Sequence, residues 1–354
     1  MKVAIYSIAL NEEKFVESWF NSAKEADYLL IADTGSTDKT VELARSLGIN
    51  VVNITISPWR FENARNASLA LIPSDIDYCI ALDLDEVILP GWREELEKAH
   101  EQNWTRPRYK YTWNWNEDGS PGLQYGGDKI HSRNGYRWKH PVHEVIITDR
   151  IQETQGWTNL QIHHHADSTK SRGGYLPLLK LSVEEDPGND RNAYYYAREL
   201  YYYGFYEDAA KEFKRHLALP TALWKAERSN SMRYLSKVEP EFAEKWLIDS
   251  INESPGRREP IVELAEYYYK QQNWKQSLLY AEKALEIKDR PLEYLSESHA
   301  WGWAPYDYAA IASYRLGEYK KALQYGELAI EQSYEKHQQE RLINNLNHYK
   351  DMNK

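Results

Sequence analysis

The sequence predicts an α/β domain over residues 1–172 followed by an all-α helical-repeat domain over residues 173–354. Two observations carry this. In the first part, apolar runs of strand length alternate with helix-like stretches, the pattern of a mainly parallel sheet. In the second, an aromatic residue recurs just after a turn position, at intervals near the length of one helix hairpin. A chain of 354 residues is also too long for one ordinary core.

In the first part, residues 3–8 form an apolar run broken only by Ser7, as in a parallel strand covered on both faces. Asn11 is placed to cap a helix over 12–24, which carries Phe15, Trp19 and Phe20 on one face. A second strand over 28–32 ends at Asp33, and Thr34-Gly35-Ser36-Thr37-Asp38 turns the chain into a helix over 39–47 that stops at Gly48. A strand over 49–54, a helix over 61–71 and a strand over 78–82 ending at Asp83 follow. Alternation of this kind puts ligands at the carboxyl ends of the strands. Residues 109–115, 129–133, 138–147 and 160–165 read as further strands that finish the sheet and cover the site. Helices take over near Gly174.

In the second part, Tyr206, Phe242, Trp274 and Tyr319 each stand two residues after a turn position: Gly204, Pro240, Gln272 and Gly317. The intervals of 36, 32 and 45 residues lie near the period of about 34 expected of tetratricopeptide repeats. Three residues further on, Ala209, Ser277 and Ala322 are small enough for two helices to pack closely, whereas Lys245 breaks the pattern in the second repeat. The long third interval contains Trp301-Gly302-Trp303-Ala304-Pro305, read as an inserted loop. The 28 Tyr and 13 Trp far outnumber the 6 Phe. In this half the tyrosine clusters 194–196, 201–203 and 267–269 are assigned to hairpin packing before ligand contact.

Bulk composition narrows the function. With 42% hydrophobic and 28% charged residues the chain reads as globular. Its net charge of −10 opposes a nucleic-acid partner, which needs a basic stripe. No apolar run reaches membrane-spanning length, and the N-terminal run reads as a buried strand rather than a signal peptide, so a cytoplasmic protein is expected. The single cysteine, Cys79, sits in an apolar strand and forms no intramolecular disulfide.

The strongest chemical signal is Ala81-Leu82-Asp83-Leu84-Asp85-Glu86. Two carboxylates one residue apart lie on the same side of an extended segment, at a strand's carboxyl end, where a hard divalent cation could bridge them to phosphates. A solvated acidic turn is the competing reading. The second signal is Asp33-Thr34-Gly35-Ser36-Thr37-Asp38, which ends a strand and opens a helix with backbone N–H groups facing the crevice. Asp33 is then free for a nucleobase or ribose, or else Asp33 and Ser36 only cap turns. The segment lacks the glycine pattern of dinucleotide folds and the lysine of phosphate loops. A nucleotidyltransferase would carry a glycine-rich loop after the first strand, where this chain has Ile8-Ala9-Leu10-Asn11-Glu12. In His163-His164-His165, alternation puts His164 opposite the other two, and an imidazole there could complete a metal site or satisfy a loop hydrogen bond. Glu144, after the turn at His140-Pro141, is the candidate base, with Asp118 and Asp128 behind it; a salt bridge to Arg137 or Lys139 is the alternative. Trp113, Trp115 and Trp138 are equally candidates for sugar stacking and for core.

Ser7 to Glu13, Asp33 to Thr40, Ala64-Arg65-Asn66 and Leu82 to Glu86 stand in the order and spacing of the family-2 glycosyltransferases of the GT-A fold, which the first 90 or so residues resemble. His140 to Glu144 and Ile162 to His165 extend the match loosely. Bacterial and phage members with tetratricopeptide tails, including relatives of peptide S-glycosyltransferases, are the most similar subgroup. The resemblance implies a nucleotide-diphospho-sugar donor, UDP-sugar favoured, with Mn2+ or Mg2+. It places Ile8, Ala9, Leu10 and Glu12 around the nucleoside and Asp33 on the base or ribose. Arg65 falls near the donor phosphates, Asp83 and Leu84 at the donor, and Asp83, Asp85 and His164 at the metal. Thr34 stands where many members carry a second acid. The acceptor is expected to be a protein, peptide or glycan, and the repeat domain to position it or to form a homodimer. A non-catalytic scaffold is the alternative function.

Overall fold

The computed structural model describes residues 1–167 and 174–352. The chain forms two compact units, Met1–Asn114 with Gln124–Ser182, and Trp115–Leu123 with Val183–Lys354. The expected boundary at 172/173 lies outside the described residues.

The first unit is built on strands β1 (Val3–Ala9), β2 (Tyr28–Asp33), β3 (Asn50–Asn53) and β4 (Tyr78–Ala81), with helices α1 (Val16–Ala23), α2 (Thr40–Ser46) and α3 (Phe61–Ala70) between them. Strands β3, β2, β1 and β4 lie side by side in that order, all parallel. The chain runs outward from β1 through β2 to β3, then returns to place β4 on the other flank of β1. That reversal opens a crevice at the carboxyl ends of β1 and β4. The apolar run of β1 is explained by two cores. Val3, Ile5 and Ala9 join one with Ile31, Ile80 and Leu82, while Ala4 and Tyr6 join another with Leu30, Cys79 and Ala81. Burial pushes the Cys79 thiol up to about 12, so it is an inert core group.

Beyond β4 the expectation of one completed sheet fails. Strands β5 (Glu86–Ile88), β6 (Arg106–Thr112), β7 (Gln124–Gly127), β8 (Ile130–Ser132), β9 (Tyr136–Lys139), β10 (Val145–Thr148) and β11 (Gln155–His164) follow, with helix α4 (Trp92–Glu101) after β5. Only β8 joins the main sheet, antiparallel to β4. β5, β11, β6 and β7 make a separate four-stranded sheet, and β9 pairs with β10 as a hairpin. The expected strand over 138–147 is therefore two strands, interrupted where His140 and His143 take positive φ. Asn11 does not cap α1 either. At φ 55° it points its side chain across to accept from Thr37 N at 2.8 Å, and the helix starts only at Val16.

Apart from Trp115–Leu123, the second unit is built of helices. Its helices are α6 (Asp190–Tyr202), α7 (Tyr206–Ala218), α8 (Lys225–Val238), α9 (Ala243–Glu253), α10 (Arg258–Lys270), α11 (Trp274–Glu286), α12 (Ser298–Trp301), α13 (Trp303–Arg315), α14 (Tyr319–Glu331) and α15 (Lys336–Asp351); α5 (Tyr175–Glu185) precedes them. Helices pack as consecutive pairs, α6 on α7, α8 on α9, α10 on α11 and α13 on α14. Ala209, Ser277 and Ala322 are fully buried at these contacts, as their size predicts. In the second pair a 3-10 turn over Pro240–Phe242 delays the helix, so Ala243 fills the close-packed position and Lys245 faces solvent. The segment from Trp301 to Pro305 is not a loop. It spans the junction of α12 and α13, and Pro305 is accommodated in the first turn of α13, where its missing N–H is not needed. The irregular stretch is 288–297 instead.

Trp19 on α1 is fully buried and donates its indole N–H to Leu82 O at 3.0 Å, tying the helix to the exit of β4. Trp19→Ala is expected to remove about 3–5 kcal/mol from the unfolding of the first unit, read by denaturant titration. Glu17→Ala on the exposed face of the same helix should change it by less than about 0.5 kcal/mol.

Candidate functional site

The carboxyl ends of β1, β2 and β4 are laced by short side chains. Asp33 is 2% exposed and accepts from Gly35 N at 3.0 Å and Ser36 N at 3.1 Å, closing a turn in which Gly35 holds φ 117°. Ser36 Oγ accepts from Asn11 N at 2.9 Å, and Thr34 Oγ1 donates to Ala9 O at 2.8 Å. Asp33 and Ser36 thus do cap turns, and Thr34 fastens its loop to β1. Of the segment leaving β1, Ala9 is buried, Ile8 and Glu12 are half-buried and Leu10 is exposed.

After β4 the chain does not stay extended. Glu86 N donates to Asp83 O at 2.9 Å, closing a tight turn through Leu84 and Asp85. The expected shared face for Asp83 and Asp85 is replaced by two different surroundings. Leu84 turns into the core.

Asp83 enters a charge network. Its Oδ1 is 2.9 Å from Arg65 Nη1 and its Oδ2 accepts from Lys129 Nζ at 2.7 Å. Arg65, 5% exposed, also donates through Nε to Glu144. Lys129 reaches Glu86 at 3.2 Å, and Glu86 further accepts from Tyr111 Oη at 2.6 Å and from Asp83 N at 2.9 Å. Burial disfavours charge on Asp83, yet Arg65 and Lys129 hold it well below the usual carboxylate range. Burial raises Glu86, and Lys129 only partly offsets that. Burial also works against charge on Lys129, but Asp83 and Glu86 hold the ammonium well above its usual range.

Asp85 faces the other way. Its Oδ2 lies 3.2 Å from His164 Nε2, while His164 Nδ1 is 2.8 Å from Trp113 O. The register of β5 and β11 sets this pair, since His164 stands opposite Glu86 and His165 N donates to Asp85 O at 2.7 Å. Trp113 stacks on the imidazole at 4.5 Å between ring centroids. Burial lowers His164 but the Asp85 carboxylate and the Trp113 carbonyl outweigh it, so its pKa is raised. His163 is half-buried and His165 exposed, as strand alternation predicts. With its Nδ1 proton on a carbonyl, His164 can offer Nε2 to a cation that displaces the proton shared with Asp85, which leaves the usual state of a metal-binding histidine. Two ligand atoms about 3 Å apart are the spacing that adjacent positions around a small divalent cation require. Asp85 and His164 therefore fit such a cation, whereas Asp83 is already shared by two side-chain cations.

The other candidates separate. Glu144 pairs with Arg65, not with Arg137, which holds Asp149 at 3.1 Å. Asp128 is engaged by Arg106 at 2.9 Å, and Asp118, in the second unit, accepts from Ser120. Trp138 is core: 2% exposed, its indole donates to Tyr6 Oη at 2.8 Å and its ring lies under Arg65. Trp115, in the second unit, bridges to Pro121. Lys129 and Tyr111 carry no local signal, because only the pairing of β4 with β8 brings Lys129 to the end of β4 and only the β5–β11–β6 sheet brings Tyr111 to Glu86.

Residues 5–151 match the family described as Glycosyl transferase family 2. An uncharacterized glycosyltransferase of Rickettsia bellii is 33% identical over 97 residues, 27% of this chain and 32% of that protein. One from Rickettsia typhi is 30% identical over the same shares. The chain thus spans about a third of the length of these curated relatives. Among solved structures, MamA is 18% identical with a TM-score of 0.36, covering 45% of this chain and 87% of that one. Glucosyl-3-phosphoglycerate synthase from Mycobacterium tuberculosis, in complex with Mn2+, UDP and phosphoglyceric acid, is 25% identical with a TM-score of 0.28, covering 31% of this chain and 43% of that one.

Removing Lys129 leaves Asp83 and Glu86 without their shared cation. Lys129→Ala is expected to cost up to about 3 kcal/mol at neutral pH, read by denaturant unfolding. The depressed Asp83 carboxyl contributes stability that is complete above the ordinary unfolded value near 3.9 and is lost as pH falls below it. The wild-type chain should therefore lose stability below about pH 4, and Lys129→Ala should show a shallower acid loss.

Proposed function

We propose that this chain, whose residues 5–151 carry a family-2 glycosyltransferase domain, is an inverting, divalent-metal-dependent glycosyltransferase that takes a hexosyl group from a UDP-sugar. The observation that carries the reading is the Asp85–His164 pair at the crevice, with the histidine's second nitrogen fixed on Trp113 O. A divalent cation bound there supplies charge neutralisation for the diphosphate leaving group.

The chain's own residues do the rest. Asp33, held rigid by Gly35 and Ser36, keeps acceptor capacity for base or ribose hydroxyls. Ile8, Ala9, Leu10 and Glu12 border the nucleoside at the end of β1. Arg65, its Nη1 and Nη2 on Asp83 and its Nε on Glu144, brings positive charge to the phosphates. Glu144 takes the acceptor's proton as the acceptor oxygen, nitrogen or sulfur attacks the anomeric carbon and the diphosphate departs from the opposite side. In the free chain Glu144 is paired with Arg65. The donor diphosphate competes for Arg65 and loosens that pair as the donor arrives. The helical unit presents surfaces suited to a protein or peptide acceptor.

Sugar release and transfer measured with Mn2+ and a panel of UDP-, GDP- and TDP-sugars test this. Asp85→Ala and His164→Ala should each lower kcat/KM at least 100-fold, about 2.7 kcal/mol of transition-state stabilisation, without loss of fold. Glu144→Gln should lower kcat more than KM. Full turnover by Asp85→Ala with purified donor would overturn the mechanism, and absence of any donor turnover by the wild-type chain would favour the scaffold reading.

A further inference from the structure

The helical unit holds a second group of ligating side chains, remote in sequence from the crevice residues. Asp190 opens α6, His216 lies in the last turn of α7 and Glu227 in the first turn of α8. One ligand atom from each lies within 4.8 Å of the others. From these three side chains we infer a structural binding site for a borderline divalent cation, Zn2+ first, that pins three successive helices together.

His216 is fully buried. Its Nδ1 is 2.9 Å from Ser231 Oγ, and its Nε2 meets no hydrogen-bond partner among the described residues. A buried imidazole nitrogen left unpaired carries a desolvation cost, and a cation would remove it. The Ser231 contact fixes the ring as an outer partner fixes a metal-bound histidine. Burial, with Arg228 and Arg215 adding to it, pushes His216 down to about 4, so the ring is neutral and can donate a lone pair. Those two guanidinium groups are themselves occupied: Arg228 by Glu253 at 2.9 Å and Arg215 by Glu212 at 2.7 Å. Glu227, 3% exposed, receives a hydrogen bond from Tyr294 Oη, which aims its carboxylate. Asp190 is half-buried and gives the cation a route in from solvent. One imidazole and two carboxylates with room for water suit Zn2+ or Mn2+ better than Ca2+, which wants six or more oxygens.

The site is independent of the proposed transferase chemistry, and its test is arranged to stay so. Zn2+ alone, without nucleotide, is titrated calorimetrically into the metal-stripped full-length chain carrying Asp85→Asn, which removes the crevice ligand. Zn2+ uptake should persist in this chain and raise its Tm. Adding Asp190→Asn or His216→Gln should weaken the uptake at least tenfold and abolish the Tm rise. Asp190→Asn changes only a half-exposed side chain, and an unchanged Tm in EDTA certifies the fold of each variant. No Zn2+ uptake in the Asp85→Asn chain, or uptake that survives both Asp190→Asn and His216→Gln, would overturn the proposal.

Discussion

Arg65 and Lys129 close on Asp83 from two sides at the exit of β4, and the geometry of the crevice depends on that contact. Two carboxylates, Asp83 and Glu86, sit three residues apart on a tight turn where burial disfavours both charges. A buried ion pair gains little net stability, but it is costly to break. The network therefore acts chiefly as a constraint. It holds the turn in one conformation, and that turn directs Asp85 away from the network and toward His164. Tyr111, bonded to Glu86, extends the same constraint into the second sheet. The crevice is thus assembled from the end of one sheet and the edge of another, with buried charge beside the apolar core that the two sheets share.

This division of labour separates the two acidic residues that a short motif would treat alike. Asp83 has its charge satisfied by side chains. Asp85 has an imidazole opposite it. Glu144 is drawn into the same system through Arg65.

Much of the frame was legible in the sequence. β1, β2 and β4 are apolar runs because both faces are buried, and the acids that end β2 and β4 mark where the runs meet the crevice. Alternation separated His164 from His163 and His165, and the family resemblance then singled it out. The spacing of Trp92, Leu96 and Ala99 would also have revealed α4, whose dense charge hides it. What was not legible depends on contacts between distant segments. A tight turn at 83–86 and an extended segment have the same local sequence. Lys129 reaches Asp83 only through the pairing of β4 with β8. Asn11 looked like a helix cap, yet its side chain reaches 26 residues along the chain to Thr37. In the repeats, Phe242 fitted the aromatic rhythm, but a 3-10 turn shifted the close-packed position to Ala243.

The central claim is that Asp85 and His164 share one divalent cation at the crevice. Anomalous diffraction at the manganese edge, from crystals soaked with Mn2+ and UDP, tests it most directly. The account predicts a single peak in the crevice about 2.1 Å from both Asp85 Oδ2 and His164 Nε2. A manganese peak ligated by Asp83 with His164 still hydrogen-bonded to Asp85, or no manganese in the crevice with UDP bound, would contradict it.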